Sequence, residues 1–548
     1  MNNQALVIRS VRCAPFQDQR MGTAGLRRKV RVFGQPHYLE CFVQAVLDTV
    51  GLPAGATLVI GGDGRFYNDI AIQLIIRVTA AAGVRRLIIG RGGLLSTPAA
   101  SHLIRARKAD GGFLLTASHN PGGPDGDFGI KFNMASGGQA PPAVTDAVYD
   151  TSRRLEGYRL ADLPAIDLAC TGTRQIGPLQ IEVVDPVADY ERLMEQLFDF
   201  GRIRAWLGRG HRLVFDALHG ITGPYARQIL CQSLGADAAG LLHAEPLPDF
   251  GGLHPDPNPI DGRHLVERSM QPDSPDLLAA SDGDGDRNMI LGPGLLVSPG
   301  DSVAMMLANA SHVPGYRQGV PGVARSMPTS RALDAVAADM RLPCFETPTG
   351  WRFFCNLLDS GRIGLCGEES FGTGSWHTRE KDGLWAVLFW LNLLAALDQP
   401  LPAIAAAHWR RYGRHYFQRR DYEISEAARG DELIESLRKR LPGFAGERTR
   451  LAPIGTADEF DYRDPVDSSE VRQQGIRVFL TDGSRIVYRL SGTGTAGATL
   501  RVYLERHERA AERLDLPAGA VLDPLGQLAA ALARIPDITG LSTPSMVV

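Results

Sequence analysis

The chain has 548 residues, too many for a single hydrophobic core, so several domains are expected. A net charge of −3 at pH 7 gives no electrostatic case for a nucleic-acid or anionic-membrane partner. Seven cysteines, at 13, 41, 170, 231, 344, 355 and 366, form no CxxC pair and are odd in number, which points to reduced thiols in a cytoplasmic protein rather than a disulfide framework or a zinc site.

In chain order, MNNQALVIRSVRC holds no run long enough for a signal-peptide core. TLVIGGDGR (57–65) is a short apolar run ending in a glycine turn; IAIQLIIRVTAAAG follows with helical periodicity, and RRLIIGRGG is a second run and turn. The pattern returns in RLVFDALHG (212–220) with PYARQILCQSLG, and again in GVARSMPTS (322–330) with RALDAVAADM and RIGLCGEES (362–370). Buried runs alternating with helices predict three similar α/β domains with mixed, mostly parallel sheets. Ligands on such sheets sit in the loops after the strands, so the residues just beyond each run are the candidates for chemistry. A polar stretch near 170–190 separates the first block from the second, LVSPGDS (296–302) reads as a joint, and DQPLPAIAAAHW (398–409) closes the third. LWAVLFWLNLLAAL (384–397) is too short to span a bilayer and reads as a buried helix. Beyond about 410, charged helical pieces precede RIVYRL and TLRVYL, which read as paired strands of an α+β domain. The expected domains are 1–187, 188–298, 299–408 and 409–548.

Four loops carry chemistry. In LLTASHNPGGPDGDFGIKFN (114–133), Ser118 follows a strand-like run and precedes a strong turn signal. A serine nucleophile needs a base or a metal to activate it. His119 is adjacent, but neighbours on a strand face opposite ways, so a simple Ser–His relay is not expected. In SDGDGDRNMILG (281–292), Asp282, Asp284 and Asp286 repel one another unless a cation sits among them, and oxygen ligands alone favour Mg2+ or a similar ion. An EF-hand fails here, because its glycine position is Arg287 and its twelfth position Pro293. In CGEESFGTGSWHTREKDG (366–383), Glu368 and Ser370 lie two apart and can face one ligand; a carboxylate and a hydroxyl suit paired sugar hydroxyls, with Thr349, Gly350 and Lys381 nearby in type. In YRLSGTGTAGATLRVYLE (488–505), G-x-G-x-x-G at Gly492, Gly494 and Gly497 is followed by strand periodicity rather than a helix, which rejects a dinucleotide fingerprint. Arg489, Ser491, Thr493 and Arg501 around that glycine loop make a phosphate clamp instead. Arg27 in GTAGLRRKVRVF and Lys131 in GIKFN complete a basic lining. Nucleophile, divalent cation, sugar loop and phosphate clamp together describe phosphoryl transfer on a sugar phosphate.

Together these loops resemble the α-D-phosphohexomutase superfamily: TASHNPGGPDGDFGIKFN its phosphoserine loop, DGDGDRNMILG its metal loop, GEESFGTGS with REKDGLWAV the sugar loop of its glucose-preferring branch, and RLSGTGTAGAT its phosphate loop. QDQRMGTAGLR, DALHGITGPY, DFGGLHPDPN, RSMPTS and ETPTGWRFF are similar to it as well. The resemblance implies four domains around a central cleft, the last of them α+β, with one loop from each facing that cleft. It implies Ser118 as the phosphoserine, and Asp282, Asp284 and Asp286 holding Mg2+ together with an oxygen on Ser118. Glu368 and Ser370 would read sugar hydroxyls, with Thr349 and Gly350 beside them. Arg489, Ser491, Gly492, Thr493 and Arg501 would grip the non-reacting phosphate. Arg27, His119, Lys131, Lys381 and Arg287 would surround the reacting one, with a lysine as general acid/base. The implied activity interconverts glucose 1-phosphate and glucose 6-phosphate through phosphoserine and glucose 1,6-bisphosphate. Expected partners are small-molecule sugar phosphates, with no nucleic acid and no membrane, for a cytoplasmic monomer or weak homodimer. Two positions depart from the family pattern: Ala24 stands in place of a serine near Arg27, and Trp376 in place of an aspartate, where a bulky ring beside the sugar loop is expected to shift loop position or substrate preference. A mutase for mannose or glucosamine phosphates is disfavoured by GEES. A metal-dependent phosphatase is disfavoured by the second phosphate clamp, and a silent scaffold by the filled catalytic positions.

Overall fold

Strand Gly111–Leu115 is buried along its whole length, as a continuous apolar run must be when strands flank it and helices cover both faces. The computed structural model, which describes residues 6–22, 24–492 and 497–548, places it in the middle of a seven-stranded mixed sheet. The spatial order is Leu26–Lys29, Asp127–Met134, Gly111–Leu115, Thr57–Gly62, Arg86–Leu94, Leu179–Val184 and Gly172–Ile176. The central pairings are parallel, with Ile60 opposite both Phe113 and Ile89, and both edges are antiparallel. The last two strands occupy the stretch that reads as a polar break. Gly172–Ile176 is an edge strand with four exposed positions out of five, so it lacks the apolar signature that marks the inner strands.

The second sheet runs Leu241–Leu242, Leu213–Asp216, Leu277–Ser281, Asn288–Gly292, Leu295–Val297, and the third Cys344–Thr347, Val323–Ser326, Leu365–Glu368, Gly372–Ser375. Each is parallel at one side and turns antiparallel through a hairpin at the other. Helix Gly383–Leu397 is buried over nearly every residue, and one hydrophobic cluster joins it to Val59, Tyr190, Phe215, Val303 and Leu365 across the first three sheets. That explains an apolar surface all round the helix. Asp382 caps its start by accepting from Trp385 N at 3.0 Å, and the Trp385 indole donates to Tyr316 Oη at 2.9 Å. Among the described residues, no single helix is long and apolar enough to cross a membrane. All seven cysteines are free.

The C-terminal unit is a six-stranded antiparallel sheet with helices Ala427–Phe444 and Ala518–Leu532 packed into its own core. RIVYRL and TLRVYL are indeed neighbours, in strands Arg485–Gly492 and Ala498–Glu508. The long strand Arg414–Ile424 alongside them has no sequence signature, because its buried positions are interrupted by a half-buried run, QRR among them. This unit joins the third through polar contacts on the RSMPTS loop. Arg485 donates to the carbonyls of Met327 (2.8 Å) and Thr329 (2.6 Å), and Glu505 accepts from Arg331 N at 2.7 Å. The four candidate loops thus leave the ends of Gly111–Leu115, Leu277–Ser281, Leu365–Glu368 and Arg485–Gly492, one in each unit.

Candidate functional site

Ser118 sits at a backbone φ of 52°, in the left-handed region. Its neighbours enforce this. The Arg65 guanidinium donates to the carbonyls of Ser118 (2.6 Å), Asn120 (3.3 Å) and Asp127 (3.0 Å), and is itself fully buried against Asp63. Asp63 also accepts from the Thr116 hydroxyl (2.6 Å), whose oxygen accepts from Ser118 N (2.7 Å). Gly129 runs so close beneath that a Cβ there would collide with the Thr116 carbonyl. The left-handed turn ends strand alternation before Ser118, which corrects the expectation that His119 faces away: its Nδ1 lies 3.4 Å from Ser118 Oγ. The better partner is Asp282, whose Oδ2 accepts from Ser118 Oγ at 2.7 Å. Burial, with Arg287, Arg27 and Lys381 around it, holds His119 well below the ordinary histidine range, which favours the neutral ring.

Asp282, Asp284 and Asp286 are all buried, and one oxygen from each lies within 4.8 Å of the others. Asp282 Oδ1 accepts from the N–H groups of Asp286 (2.8 Å) and Arg287 (2.9 Å), Asp284 Oδ2 from the Thr97 hydroxyl (2.6 Å), and Asp286 Oδ2 pairs with Lys381 Nζ at 3.2 Å. Asp284 Oδ1 and Asp286 Oδ1 are buried without a hydrogen-bond partner. Burial and the neighbouring carboxylates push Asp282 well above the usual range and raise Asp286. Burial works against Asp284 too, but Lys131, the Thr97 hydroxyl and Lys381 outweigh it and bring it down to about 2. Three crowded carboxylates, two with an orphaned oxygen and all offering hard donors, fit a divalent cation of the Mg2+ type.

The cations are held apart by their own counter-charges. Lys131 Nζ is buried on Glu380 Oε1 (3.0 Å), a carboxylate that also takes Asn133 and Gln139 amides, each at 2.9 Å. Arg287 pairs with Asp256 at 2.8 Å, and Arg27 donates to Asn120 Oδ1 at 3.3 Å; the Nε of both arginines is buried and unpartnered. Burial lowers Arg27 from its ordinary value. Asp63, Arg65, Glu380 and Asp256 were not among the sequence candidates. Their signal was only that a buried lysine or arginine requires a carboxylate, without saying which.

Glu368 ends its strand buried, accepting from Gly350 N at 2.9 Å, and burial raises its carboxyl. Ser370 is half-buried, and Thr349 Oγ1 has no partner. Between Glu368 and Ser370, Glu369 turns the other way and takes the hydroxyls of Ser326 (2.6 Å) and Thr329 (3.2 Å), tying the sugar loop to RSMPTS. In the fourth unit Arg489 and Arg501 are cross-strand partners, directly opposite, and Ser491 is opposite Thr499. Like charges in that register cost stability unless an anion lies between them. Arg489 donates to the Gln474 carbonyl at 3.2 Å; Arg501 Nε is buried without a partner. Burial pulls Arg501 down, yet Tyr503, Asp421 and Glu369 more than offset it. Gly492 closes the strand. Thr493 lies outside the described residues.

Trp376 corrects its expectation. It leaves strand Gly372–Ser375 at the end away from Glu368, stacks on Tyr316 (ring centroids 6.1 Å, planes at 12°) and lies against Gly364. It therefore packs core, not sugar loop. Ala24 sits half-buried next to a turn closed by Gly22 N donating to Gly25 O.

Family models described as phosphoglucomutase/phosphomannomutase alpha/beta/alpha domains I, II and III match residues 18–159, 189–294 and 299–412, and that of the phosphoglucomutase-1 C-terminal domain matches 414–545. The chain is 50% identical over 541 residues to the phosphoglucomutase of Rhizobium radiobacter, covering 99% of this chain and 100% of that one. It is 47% identical over 558 residues to human phosphoglucomutase-1, covering 98% and 99%. The open-form crystal structure of pp63/parafusin, a phosphoglucomutase from Paramecium, superimposes with a TM-score of 0.92 at 41% identity over the whole of both chains.

Proposed function

The chain belongs to the phosphoglucomutases of the α-D-phosphohexomutase superfamily, and from that premise we propose that it interconverts glucose 1-phosphate and glucose 6-phosphate through a phosphorylated Ser118. As a mutase it is an isomerase-type enzyme acting on sugar phosphates. The observation that carries the reading is Ser118 Oγ, 2.7 Å from Asp282, on the rim of three buried carboxylates, two of them with an unsatisfied oxygen.

In the cycle, the glucose 1-phosphate 6-hydroxyl attacks the phosphorus on Ser118. The bond from phosphorus to Oγ breaks, and a lysine of the pair Lys131 and Lys381 gives its proton to the leaving Oγ and takes the one that the hydroxyl releases. Glucose 1,6-bisphosphate results. It turns over in the cleft, and its 1-phosphoryl returns to Ser118 as the proton is given back, leaving glucose 6-phosphate. Asp282, Asp284 and Asp286, with an oxygen on Ser118, would hold Mg2+, which when bound would supply positive charge against the phosphoryl group. Arg27, with its free Nε, Arg287 and neutral His119 bind the remaining phosphoryl oxygens. Glu368 and Ser370, beside Thr349 and Gly350, hold sugar hydroxyls in both orientations. Arg489, Ser491, Gly492, Thr493 and Arg501 grip whichever phosphate is not reacting. We place the reaction in the cytoplasm, on a monomer or weak homodimer, with domains divided after 187, 298 and 408; strand ends at Val184 and Val297 support the first two divisions.

The test is conversion of glucose 1-phosphate to glucose 6-phosphate with Mg2+ and trace glucose 1,6-bisphosphate, against the mannose and N-acetylglucosamine analogues. Fastest turnover on glucose, abolished by EDTA, is expected. Release of free phosphate as the main product would replace the mutase reading with a phosphatase.

A further inference from the structure

Among the described residues, Asp216, His243 and His264 form a cluster of metal-ligating side chains outside the machinery above. Asp216 ends strand Leu213–Asp216 with its carboxylate wholly buried, accepting from Leu218 N at 2.8 Å. His243, just after strand Leu241–Leu242, brings Nδ1 to 2.9 Å and 3.0 Å from the two Asp216 oxygens. His264, in the first turn of helix Arg263–Ser269, brings Nε2 to 2.7 Å from Oδ2. The three segments are separate in sequence, yet one ligand atom from each falls within 4.8 Å of the others. The imidazoles are 37% and 43% exposed on their outer sides, so the cluster opens to solvent on one side and is walled by protein on the other.

We propose that Asp216, His243 and His264 form a second metal site, for a borderline divalent cation such as Zn2+ or Co2+, separate from the all-oxygen site at Asp282, Asp284 and Asp286. The donor chemistry differs in kind. Two imidazole nitrogens and one carboxylate suit Zn2+, Co2+ or Ni2+, whereas Mg2+ prefers oxygen alone. The spacing also fits. The nitrogens lie 2.7–3.0 Å from the carboxylate oxygens, and tetrahedral bonds of about 2.0–2.2 Å set neighbouring donors about 3.4 Å apart, so a side-chain shift of about half an ångström admits the ion. Read only as hydrogen bonds, the contacts need a proton on both inward nitrogens; one ion replaces both. His219 lies outside the set of ligand atoms that fall within 4.8 Å of one another; its Nδ1 is turned to the Glu245 carbonyl at 2.8 Å. Open positions would be filled by water.

The place in the fold gives the site a consequence. Asp216 pairs in register with Ala280, two residues before Asp282, and the loop that follows Asp216 reaches the metal loop through Ile221 N on Gly283 O at 3.0 Å. An ion binding Asp216 therefore anchors the end of the strand next to the Asp282 loop. It should stiffen that loop's support without touching substrate.

The experiment uses the full chain stripped with chelator, then saturated with Mg2+ so that the three-aspartate loop is filled. Zn2+ is titrated calorimetrically and Co2+ by visible absorption. One equivalent is expected in the presence of Mg2+, with a thermal midpoint raised by several degrees. His243→Ala and His264→Gln should each weaken that binding about tenfold or more, with mutase turnover in Mg2+ within about twofold of wild type. Asp282→Asn should leave it in place. Absence of a Zn2+ equivalent under Mg2+ would reduce the cluster to a hydrogen-bonded triad. Loss of the equivalent in Asp282→Asn, or no change in either histidine variant, would assign the ion elsewhere and overturn the proposal. Far-ultraviolet circular dichroism on both variants, which alter different elements, separates misfolding from ligand loss.

Discussion

The two phosphate-handling halves of the cleft are built on opposite plans. Around Ser118 the loop is fixed before any substrate arrives: Arg65 holds three carbonyls of the turn, Thr116 holds Ser118 N, and each lysine has its own carboxylate. In the C-terminal unit two arginines, Arg489 and Arg501, face each other directly across a strand pair. The first half is preorganised for charge that develops during transfer. The second is left with a repulsion that an arriving phosphate relieves, so its binding energy appears when ligand is present. On the proposed cycle, a bisphosphate that turns round uses this difference.

The sharpest way to break the comparison is Ser118→Ala. It removes the group that carries the phosphoryl and should abolish turnover, by about a thousandfold or more, with trace bisphosphate present and the melting profile unchanged. Retained turnover would take Ser118 out of the chemistry. Next comes metal removal. EDTA should stop turnover, and in the metal-free protein Asp282→Asn should melt above wild type. The sign follows from Asp282 lying well above the usual carboxylate range through burial and its two neighbours, so its ionised form destabilises the empty loop. A lower melting point for the variant would show that the carboxylates are not in conflict. On the other half, Arg501→Ala should act on binding: KM up about tenfold or more, kcat changed far less. An unchanged KM would mean that the opposed arginines are not a clamp.

Much of this arrangement is legible in the chain because each loop packs its chemistry into one short run. DGDGD shows three carboxylates by itself, and YRLSGTGTAGATLRV shows arginines around glycines. What stays hidden is whatever depends on a distant partner. Ser118 meets Asp282 across 164 positions and Lys131 meets Glu380 across 249. Asp63 and Arg65 read only as part of the glycine turn GGDGR, since nothing local says that they brace residue 118. His119 reads as facing away because alternation holds on a strand and fails at a left-handed residue. Edge strand Gly172–Ile176 reads as a linker because solvent covers it. Trp376 reads as a sugar-loop intruder because its sequence distance from Ser370 is short while the strand between, Gly372–Ser375, carries it to the other end.

The smallest effect tests the joint between the two plans. Glu505 accepts from Arg331 N (2.7 Å) and His415 Nδ1 (2.8 Å) and forms an ion pair with Arg485 (2.8 Å), at the seam where the fourth unit meets the third. Burial pushes its carboxyl up, but Arg485, His415 and Arg331 outweigh it and hold it well below the usual range. A carboxyl depressed in the fold stabilises fully above its ordinary value of 4.5 and progressively less as pH falls toward the folded value. Glu505→Gln keeps the shape and two acceptor contacts but drops the charge. At neutral pH it should melt several degrees lower than wild type, and the gap should narrow steadily on acidification below about pH 4.5. Thermal melts of both proteins between neutral pH and pH 3 measure it. A gap that stays constant would mean that the seam is held by shape and backbone contacts rather than by the Glu505 charge.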